Sequence, residues 1–176
     1  MHFRNTVCAL ASAWALACSM LPHAAAAGEE KHVTHLDGTF IQPWLYMTYD
    51  DAQWDAEMQA MKDTGIQYLI MGDVANHNAD GSWTVYYPSE LDFLSGYRVY
   101  DALEPILFYC DKYDIKLYLG MGLDCAWNSD IASEAGREAN RQYMEQCNQI
   151  TSELYNKYKA SYPDTYYGFY FVTELY

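Results

Sequence analysis

Glu174 is the residue of this 176-residue sequence whose position most favours chemistry. It follows residues 169–172, an uninterrupted aromatic and β-branched run that is typical of one fully buried strand of a parallel sheet. Ligands bind at the carboxyl ends of such strands, so a carboxylate at this point is a candidate catalytic or binding group. The aromatic neighbours Tyr170, Phe171 and Tyr176 would raise its pKa.

Polar and aromatic side chains also follow the other predicted strands. The residues that share this strand-end position are Gln42, Trp44, Asp73, Asn76, His77, Asp124 and Trp127. Tryptophan faces beside carboxylates suit sugar rings, which offer apolar C–H faces and hydroxyl edges. We therefore predict that these residues bind a carbohydrate. In the structural alternative, Trp44 and Trp127 cap the sheet. His77 then packs within a loop, Asp73 caps one, and Glu174 is a solvated carboxylate.

Four short apolar runs are predicted to be the strands that carry these residues. They are residues 39–44, 66–71, 115–121 and 169–172. A proline closes the first run, because it cannot continue a central ladder. The connection at residues 72–99 is long for a compact domain, and connections of this length are usually functional loops.

Three helices are predicted between the strands. The first is capped by Asp50 or Asp51 and ends at Gly65. The second runs from near Leu103 or Glu104 to about residue 113, since proline at position 105 is tolerated only in a first turn. The third is the longest, and its inner face carries Tyr143, Cys147, Ile150, Leu154 and Tyr158.

Strands that alternate with helices of this size predict right-handed crossovers and a parallel sheet, so the fold class is α/β. Two architectures stay open: a small open sheet, or an incomplete TIM (β/α)8 barrel that covers strands 1 to 4. A full barrel needs about 250 residues, more than this sequence has. No glycine-rich phosphate loop follows the first predicted strand, which disfavours a nucleotide-binding open sheet.

Residues 1–27 have the order of a secretory signal, with Arg4 before an apolar middle and a small-residue cleavage site that ends at Ala27. We therefore expect a secreted, periplasmic or cell-surface protein, with residues 28–37 as a flexible lead-in and residues 38–176 as the folded domain. A lipoprotein anchor at Cys18 is less favoured, because Ala15 is a poor match three positions before it. The apolar stretch is short for a spanning helix, so no stable membrane insertion is expected.

The formal net charge of −14 disfavours nucleic acid as a partner, although ordinary solubility also explains it. Cleavage after residue 27 leaves Cys110, Cys125 and Cys147, which allow at most one internal disulfide. Their spacing is unlike a metal-binding motif, so we predict no metal site and no cofactor. Cys110 and Cys147 fall on apolar helix faces, where buried thiols are common.

A set of short stretches occurs in a recognisable order along the chain. They are Gly38-Thr39-Phe40-Ile41-Gln42-Pro43-Trp44, Trp54-Asp55, Met61-Lys62, Gly65-Ile66, Tyr87-Pro88-Ser89, Lys116-Leu117-Tyr118-Leu119-Gly120 and Tyr167-Gly168-Phe169-Tyr170-Phe171-Val172-Thr173-Glu174. This combination resembles the domain-of-unknown-function 4434 family from about residue 38 to the end, although Pro105 departs from the usual helix pattern. The resemblance implies a glycoside-hydrolase-like TIM barrel, of which this sequence holds the N-terminal half. It also implies that Glu174 matches the general acid/base at the end of strand four in retaining glycosidases, and that Trp127 lies in a loop where family members carry Trp.

Glycoside hydrolysis uses two carboxyl groups, about 5 Å apart for retention and about 6.5–9.5 Å apart for inversion. The resemblance implies that the second carboxylate comes from strand seven, so we expect the missing C-terminal half of the barrel as a partner. Asp73 or Asp124 could replace it only by departing from that plan. Three interpretations stay open: an exported glycoside hydrolase acting on an oligo- or polysaccharide, a carbohydrate-binding barrel without turnover, and a complete small α/β domain.

Overall fold

The structure of the protein, a computed structural model, describes residues 36–124, 130 and 132–172. Its strands are β1 (Gly38–Ile41), β2 (Tyr68–Met71), β3 (Ala75–His77), β4 (Trp83–Val85), β5 (Lys116–Gly120), β6 (Leu123–Asp124) and β7 (Tyr166–Tyr170). Its helices are α1 (Pro43–Tyr46), α2 (Asp51–Asp63), α3 (Leu103–Lys112) and α4 (Glu134–Tyr158), with a 3-10 turn at Asp92–Leu94. The expected signal segment, Cys125, Trp127 and Glu174 lie outside the described residues.

Four of these strands form one parallel sheet, in the order β1-β2-β5-β7. Ile41 pairs with Met71, and Met71 pairs in turn with Leu119. The order in the sheet is therefore the order in the chain, with β1 and β7 at the two edges. The predicted α/β class and parallel sheet are confirmed, whereas the incomplete barrel stays a prediction.

One face of this sheet packs into the hydrophobic core. Leu69 and Met71 of β2 and Leu117 and Leu119 of β5 are fully buried, since alternate residues of a strand point to the same face. The helices supply the other side of the same core cluster, with Trp54, Met58, Ile106, Leu107, Ile150 and Leu154. The helical periodicity thus reports correctly which side of each helix is buried.

The opposite face of the sheet carries a row of rings, which we call the aromatic face: Phe40, Tyr68, Tyr118, Tyr167 and Tyr170. Tyr167 lies 5.8 Å from Tyr68 and 5.2 Å from Tyr118, measured between ring centroids. Phe40 remains 51 % exposed and Tyr167 54 % exposed. Large rings on this side are therefore only partly covered within the described part of the chain.

The sheet curls toward the aromatic face. Phe40 on one edge strand and Tyr170 on the other have ring centroids only 5.3 Å apart, although two strands separate them. Strands spaced about 4.8 Å apart would place these edges roughly 14 Å from each other in a flat sheet. Side chains stand roughly perpendicular to a sheet, so rings this close require the two edges to bend toward each other.

Two edge strands differ from the bounds expected for them. The first ends at Ile41, because Pro43 takes the first helical position of α1, where its missing N–H is not needed. Trp44 therefore lies in a one-turn helix instead of closing a strand. The last strand covers Tyr166–Tyr170 instead of residues 169–172. It is also only partly buried, since an edge strand has a neighbour on one side only.

The helix boundaries agree with their sequence signals. The Asp50 side chain accepts a hydrogen bond from the Gln53 N–H at 2.8 Å, and the Gln53 side chain accepts one from the Asp50 N–H at 3.0 Å. This reciprocal capping box starts α2. Gly65 follows the end of the helix with φ of +89°, a left-handed conformation that favours glycine. Helix α3 starts at Leu103, as the proline in its first turn predicts.

The connection at residues 72–99 is not the plain loop that was expected. It contains an antiparallel hairpin of β3 and β4, and β6 extends β3 in parallel to form a three-stranded sheet. Gly81, with φ of +83°, lies in the hairpin turn, and the Asp80 carboxylate accepts hydrogen bonds from the Ser82 N–H and hydroxyl. Three-residue strands are too short to show a periodicity, which is why the sequence did not predict them.

Glu153 of α4 fixes the far end of that connection. Its Oε2 accepts hydrogen bonds from the Tyr87 and Ser89 hydroxyls at 2.7 Å each, and its Oε1 accepts one from the Glu90 N–H at 2.5 Å. The Lys157 ammonium donates to the Pro88 carbonyl. Residues 87–90 therefore pack against α4 through four hydrogen bonds. We call this set the Glu153 clamp.

Candidate functional site

A pocket of about 320 Å³ lies where the carboxyl ends of the main sheet meet. Its described lining consists of Phe40, Gln42, Trp44, Gly72, Asp73, Tyr170 and Val172. Gln42 and Trp44 follow β1, Gly72 and Asp73 follow β2, and Tyr170 ends β7. The pocket thus occupies the position at which parallel α/β sheets bind ligands. Three of the predicted site residues, Gln42, Trp44 and Asp73, come together here.

Two glycines allow the backbones to approach closely at this end of the sheet. A Cβ on Gly72 would lie 2.7 Å from the Gln42 side-chain oxygen, and the Gly72 N–H donates to the Ile41 carbonyl at 2.9 Å. A Cβ on Gly120 would lie 2.0 Å from the Gly72 carbonyl oxygen, well inside van der Waals contact. The close approach of the two backbones therefore requires glycine at position 120, whereas at position 72 the end of the flexible Gln42 side chain could move aside.

Asp73 is the buried acid of the pocket. It is 2 % exposed, and its Oδ2 has no hydrogen-bond partner among the described residues. Burial disfavours the charged form, and it raises the pKa of this carboxyl to about 7. Asp73 thus changes charge near neutral pH, a property of groups that bind or transfer protons.

Aromatic side chains form the walls of the pocket. Phe40 and Tyr170 meet edge to face on the aromatic face, and the pocket is continuous with that face through these two rings. Trp44 stands at the pocket on α1 and is 43 % exposed. Flat apolar rings beside polar groups suit a ligand that has both apolar faces and hydroxyl edges.

Asn76 and His77 belong to the second sheet and are not among the described residues that line this pocket. Asn76 and His77 lie on β3, and the backbone of Asp124 pairs with His77 across β6. The His77 ring stacks on Trp83 with centroids 4.6 Å apart. This contact agrees with the structural alternative, in which His77 is a packing residue. Trp127 and Glu174 lie outside the described residues, so their roles stay predictions.

The sequence interpretation missed several residues that line the pocket. Sequence patterns do not mark Phe40 or Gly72 as site residues. They indicate Tyr170 only as an aromatic neighbour of Glu174, and Val172 only as part of a buried strand. The alternation along β1 could have identified Phe40, because it directly precedes the buried Ile41. No comparable signal marks Gly72, whose importance follows from its approach to the Gln42 side chain.

The predicted helix faces hold the two described cysteines of the folded domain. Cys110 on α3 and Cys147 on α4 are both buried, and burial raises the pKa of the Cys110 thiol. Over residues 36–124, 130 and 132–172, no group of three or more His, Cys, Asp or Glu side chains could hold a metal ion. None of the described helices is both long and apolar enough to cross a bilayer.

Comparison with known proteins gives a family and a shared fold. The structure is similar to the crystal structure of a "putative alpha-L-fucosidase" from Bacteroides thetaiotaomicron VPI-5482, with a TM-score of 0.54 and 21 % sequence identity. The match covers 84 % of this chain and 46 % of that protein, so the chain spans about half the length of this neighbour. No curated protein sequence matches the chain. The model of the family described as "Domain of unknown function (DUF4434)" matches residues 36–176. The chain therefore belongs to this family, as its short sequence stretches predict.

Proposed function

We propose that this protein is an exported, glycoside-hydrolase-like protein that acts on carbohydrate. The observation that carries the proposal is the pocket at the carboxyl ends of β1, β2 and β7, which combines aromatic walls with a buried carboxyl group. Sugar sites have this composition, because the ring faces are apolar and the hydroxyls need polar partners. The fold shared with a protein named as a fucosidase agrees with it.

In this proposal, Glu174 is the general acid/base. It follows Val172, a pocket-lining residue, by two positions in the sequence. A general acid gives a proton to the glycosidic oxygen and later takes one from water, which requires a pKa near the working pH. Trp44 and Tyr170 would stack on the sugar, and Gln42 and Asp73 would bind its hydroxyls. The second carboxylate would come from a strand of the C-terminal half of the barrel.

Hydrolysis of aryl glycosides, including an aryl α-L-fucoside, tests the enzymatic part of the proposal. We expect no turnover by the 176-residue chain alone, because one carboxyl group cannot act as both acid and nucleophile. Extended by β/α units that include a strand-seven Glu or Asp, the protein should turn over a glycoside, and Glu174→Gln should abolish the activity. If the chain alone hydrolyses a glycoside and Glu174→Gln abolishes that activity, then Asp73 or Asp124 is the partner carboxylate.

A carbohydrate-binding barrel without turnover is the alternative. The orphan oxygen of Asp73 favours it, because a buried acceptor that awaits a hydroxyl serves binding even without a catalytic pair. Sugar binding by the extended protein without hydrolysis of any glycoside would support this function. Absence of both binding and hydrolysis would leave the strand-end residues as structural.

Export is the remaining part of the proposal. The order of Arg4, the apolar run and the alanines that end at Ala27 predicts cleavage near residue 27. N-terminal sequencing of the product recovered outside the cytoplasm should therefore start near Gly28. A product that keeps Met1 would contradict export by a cleaved signal.

A further inference from the structure

The Asp73 carboxyl group lacks a donor that it needs when it is charged. An ionised carboxylate only accepts hydrogen bonds, and its Oδ2 finds no donor among the described residues. An unsatisfied buried acceptor destabilises the folded state, so a ligand that supplies the donor gains affinity. Asp73 is one of the described lining residues, so a donor that enters the pocket lies beside it.

The charge of the pocket restricts what that donor can be. Of the described lining residues, none is Lys, Arg or His, and the whole chain carries a formal charge of −14. A carboxylate, sulfate or phosphate on a ligand would meet Asp73 with no cation to balance it. A cationic ligand would also need desolvation between Phe40, Trp44 and Tyr170. An uncharged hydroxyl satisfies the acceptor at the lowest desolvation cost.

The remaining lining residues fit a ring of moderate size. Gln42 offers a second polar group, and its side-chain oxygen lies 2.7 Å from the point where a Cβ on Gly72 would stand. Phe40 and Tyr170 form one wall, and the exposed ring of Trp44 belongs to the same lining. The described part of the pocket, about 320 Å³, has room for one sugar ring.

We infer that this pocket is a subsite for one neutral sugar ring, and that a ring hydroxyl donates a hydrogen bond to the Asp73 carboxylate. The inference rests on the proposed function and deepens it by naming the substrate class: uncharged sugar units, not uronic acids. Ligand binding supplies the missing donor, so it favours the ionised form of Asp73 and releases a proton wherever the unbound group is protonated. Among the described residues, the other titratable groups here are two tyrosines: Tyr170 lines the pocket, and Tyr86, which interacts electrostatically with Asp73, has its pKa raised to about 12 by burial. The proposed function adds Glu174 to this site.

Titration calorimetry with a matched panel of sugars tests the inference. The neutral probes are L-fucose, D-galactose, D-glucose and D-mannose, and the charged probes are the uronates of the last three. We expect at least one neutral sugar to bind and its uronate to bind more than about tenfold more weakly, the effect of one uncompensated charge contact. Repeating the titration at pH 6 in buffers of different ionisation enthalpy should show release of up to one proton per sugar.

Two variants complete the test. Asp73→Asn keeps the size of the side chain but cannot ionise, so it should abolish the proton release and weaken sugar binding more than about tenfold at pH 8. Asp164→Asn changes an exposed aspartate just before the opposite end of β7 and should alter neither quantity. The proton count on Glu174→Gln, which keeps Asp73 and removes the other carboxyl group of the proposed site, decides the question even if Asp73→Asn does not fold.

The possible outcomes separate this inference from the proposed function. Sugar binding with no proton release and no effect of Asp73→Asn would overturn the Asp73 subsite and leave carbohydrate binding intact. Equal or tighter binding of a uronate would overturn the neutral substrate class. No binding of any sugar in the panel would overturn the subsite, and the proposed function would fail with it only if the extended protein also hydrolyses no glycoside.

Discussion

Replacing Glu153 should loosen the Tyr87-Pro88-Ser89 stretch from α4 and lower the stability of the whole domain. Glutamine keeps the shape of the side chain but removes the negative charge that three donors share. Its amide nitrogen also cannot accept, so at least one of the three hydrogen bonds is lost. The fully buried Tyr87 is the most sensitive partner, because its hydroxyl has no route to water.

The magnitude follows from the kind of hydrogen bond. Bonds to a charged group contribute about 1.5–3 kcal/mol each, against about 0.5–1.5 kcal/mol for neutral pairs, and two of the three donors are partly solvated. We therefore expect Glu153→Gln to lower the free energy of unfolding by about 1–2 kcal/mol. Glu153→Ala, which removes every acceptor, should lower it by about 2–4 kcal/mol. For a domain of this size, 2 kcal/mol corresponds to roughly 5–10 °C in Tm.

Chemical denaturation of the single and double variants measures the effect. Tyr87→Phe removes only the hydroxyl, and combining it with Glu153→Gln should show a coupling of about 0.5–1 kcal/mol, since the two changes remove the same contact. Glu138→Gln, on the exposed side of α4, serves as the control and should leave Tm nearly unchanged. Strictly additive effects, or a Glu153→Gln variant as stable as the original, would refute the reasoning.

Three further predictions test the sheet, the pocket and the aromatic face. Gly120→Ala should destabilise the fold by about 3 kcal/mol or more, because its Cβ would meet backbone at 2.0 Å, whereas Gly122→Ala makes an ordinary 3.5 Å contact and should be tolerated in thermal unfolding. Asp73→Asn should become more stable relative to the original protein as the pH rises from about 4 to 7. In that window Asp73 of the original ionises only in the unfolded chain, which lowers the free energy of unfolding of the original by about 1.4 kcal/mol per pH unit. A difference in Tm that does not change with pH would contradict this. Phe40→Ser should reduce self-association and dye binding of the isolated chain in sedimentation and fluorescence measurements. Phe108→Ser, at a similarly exposed ring of α3, should not.

Local signals in the sequence predicted the helices well. The Asp50 cap, the first-turn proline before Ile106 and the period of Tyr143 to Tyr158 each report a contact within a few turns of chain. Trp44 was predicted to close a strand, because a proline can end a strand. The same proline, Pro43, can also start a helix, and in the structure it starts α1, which contains Trp44. The hairpin of β3 and β4 was not predicted, because strands of three residues are too short to show an alternating pattern.

The candidate site was also predicted only in part, because local signals place residues at strand ends but do not report long-range contacts. The positions of Gln42 and Asp73 after their strands follow from a parallel sheet, so the sequence could bring them together. The burial of Asp73 depends on how far the sheet curls and on the approach of Gly120 to Gly72, which are long-range properties. The separation of Asn76 and His77 from the pocket likewise follows from a second sheet that no single stretch predicts.

The agreement between chain order and sheet order has a consequence for how the domain grows during synthesis. Strands β1, β2, β5 and β7 leave the ribosome in the sequence in which they lie side by side. No strand has to be inserted between two that are already paired, so each new β/α unit can dock on the last exposed edge as it emerges. The closing pairs still join distant residues, such as Tyr68 with Lys116 and Leu117 with Tyr166, which makes every docking step slow compared with helix formation. Nascent chains should therefore pass through a series of sheets with one, two and three pairings, each with its newest edge open to the next segment.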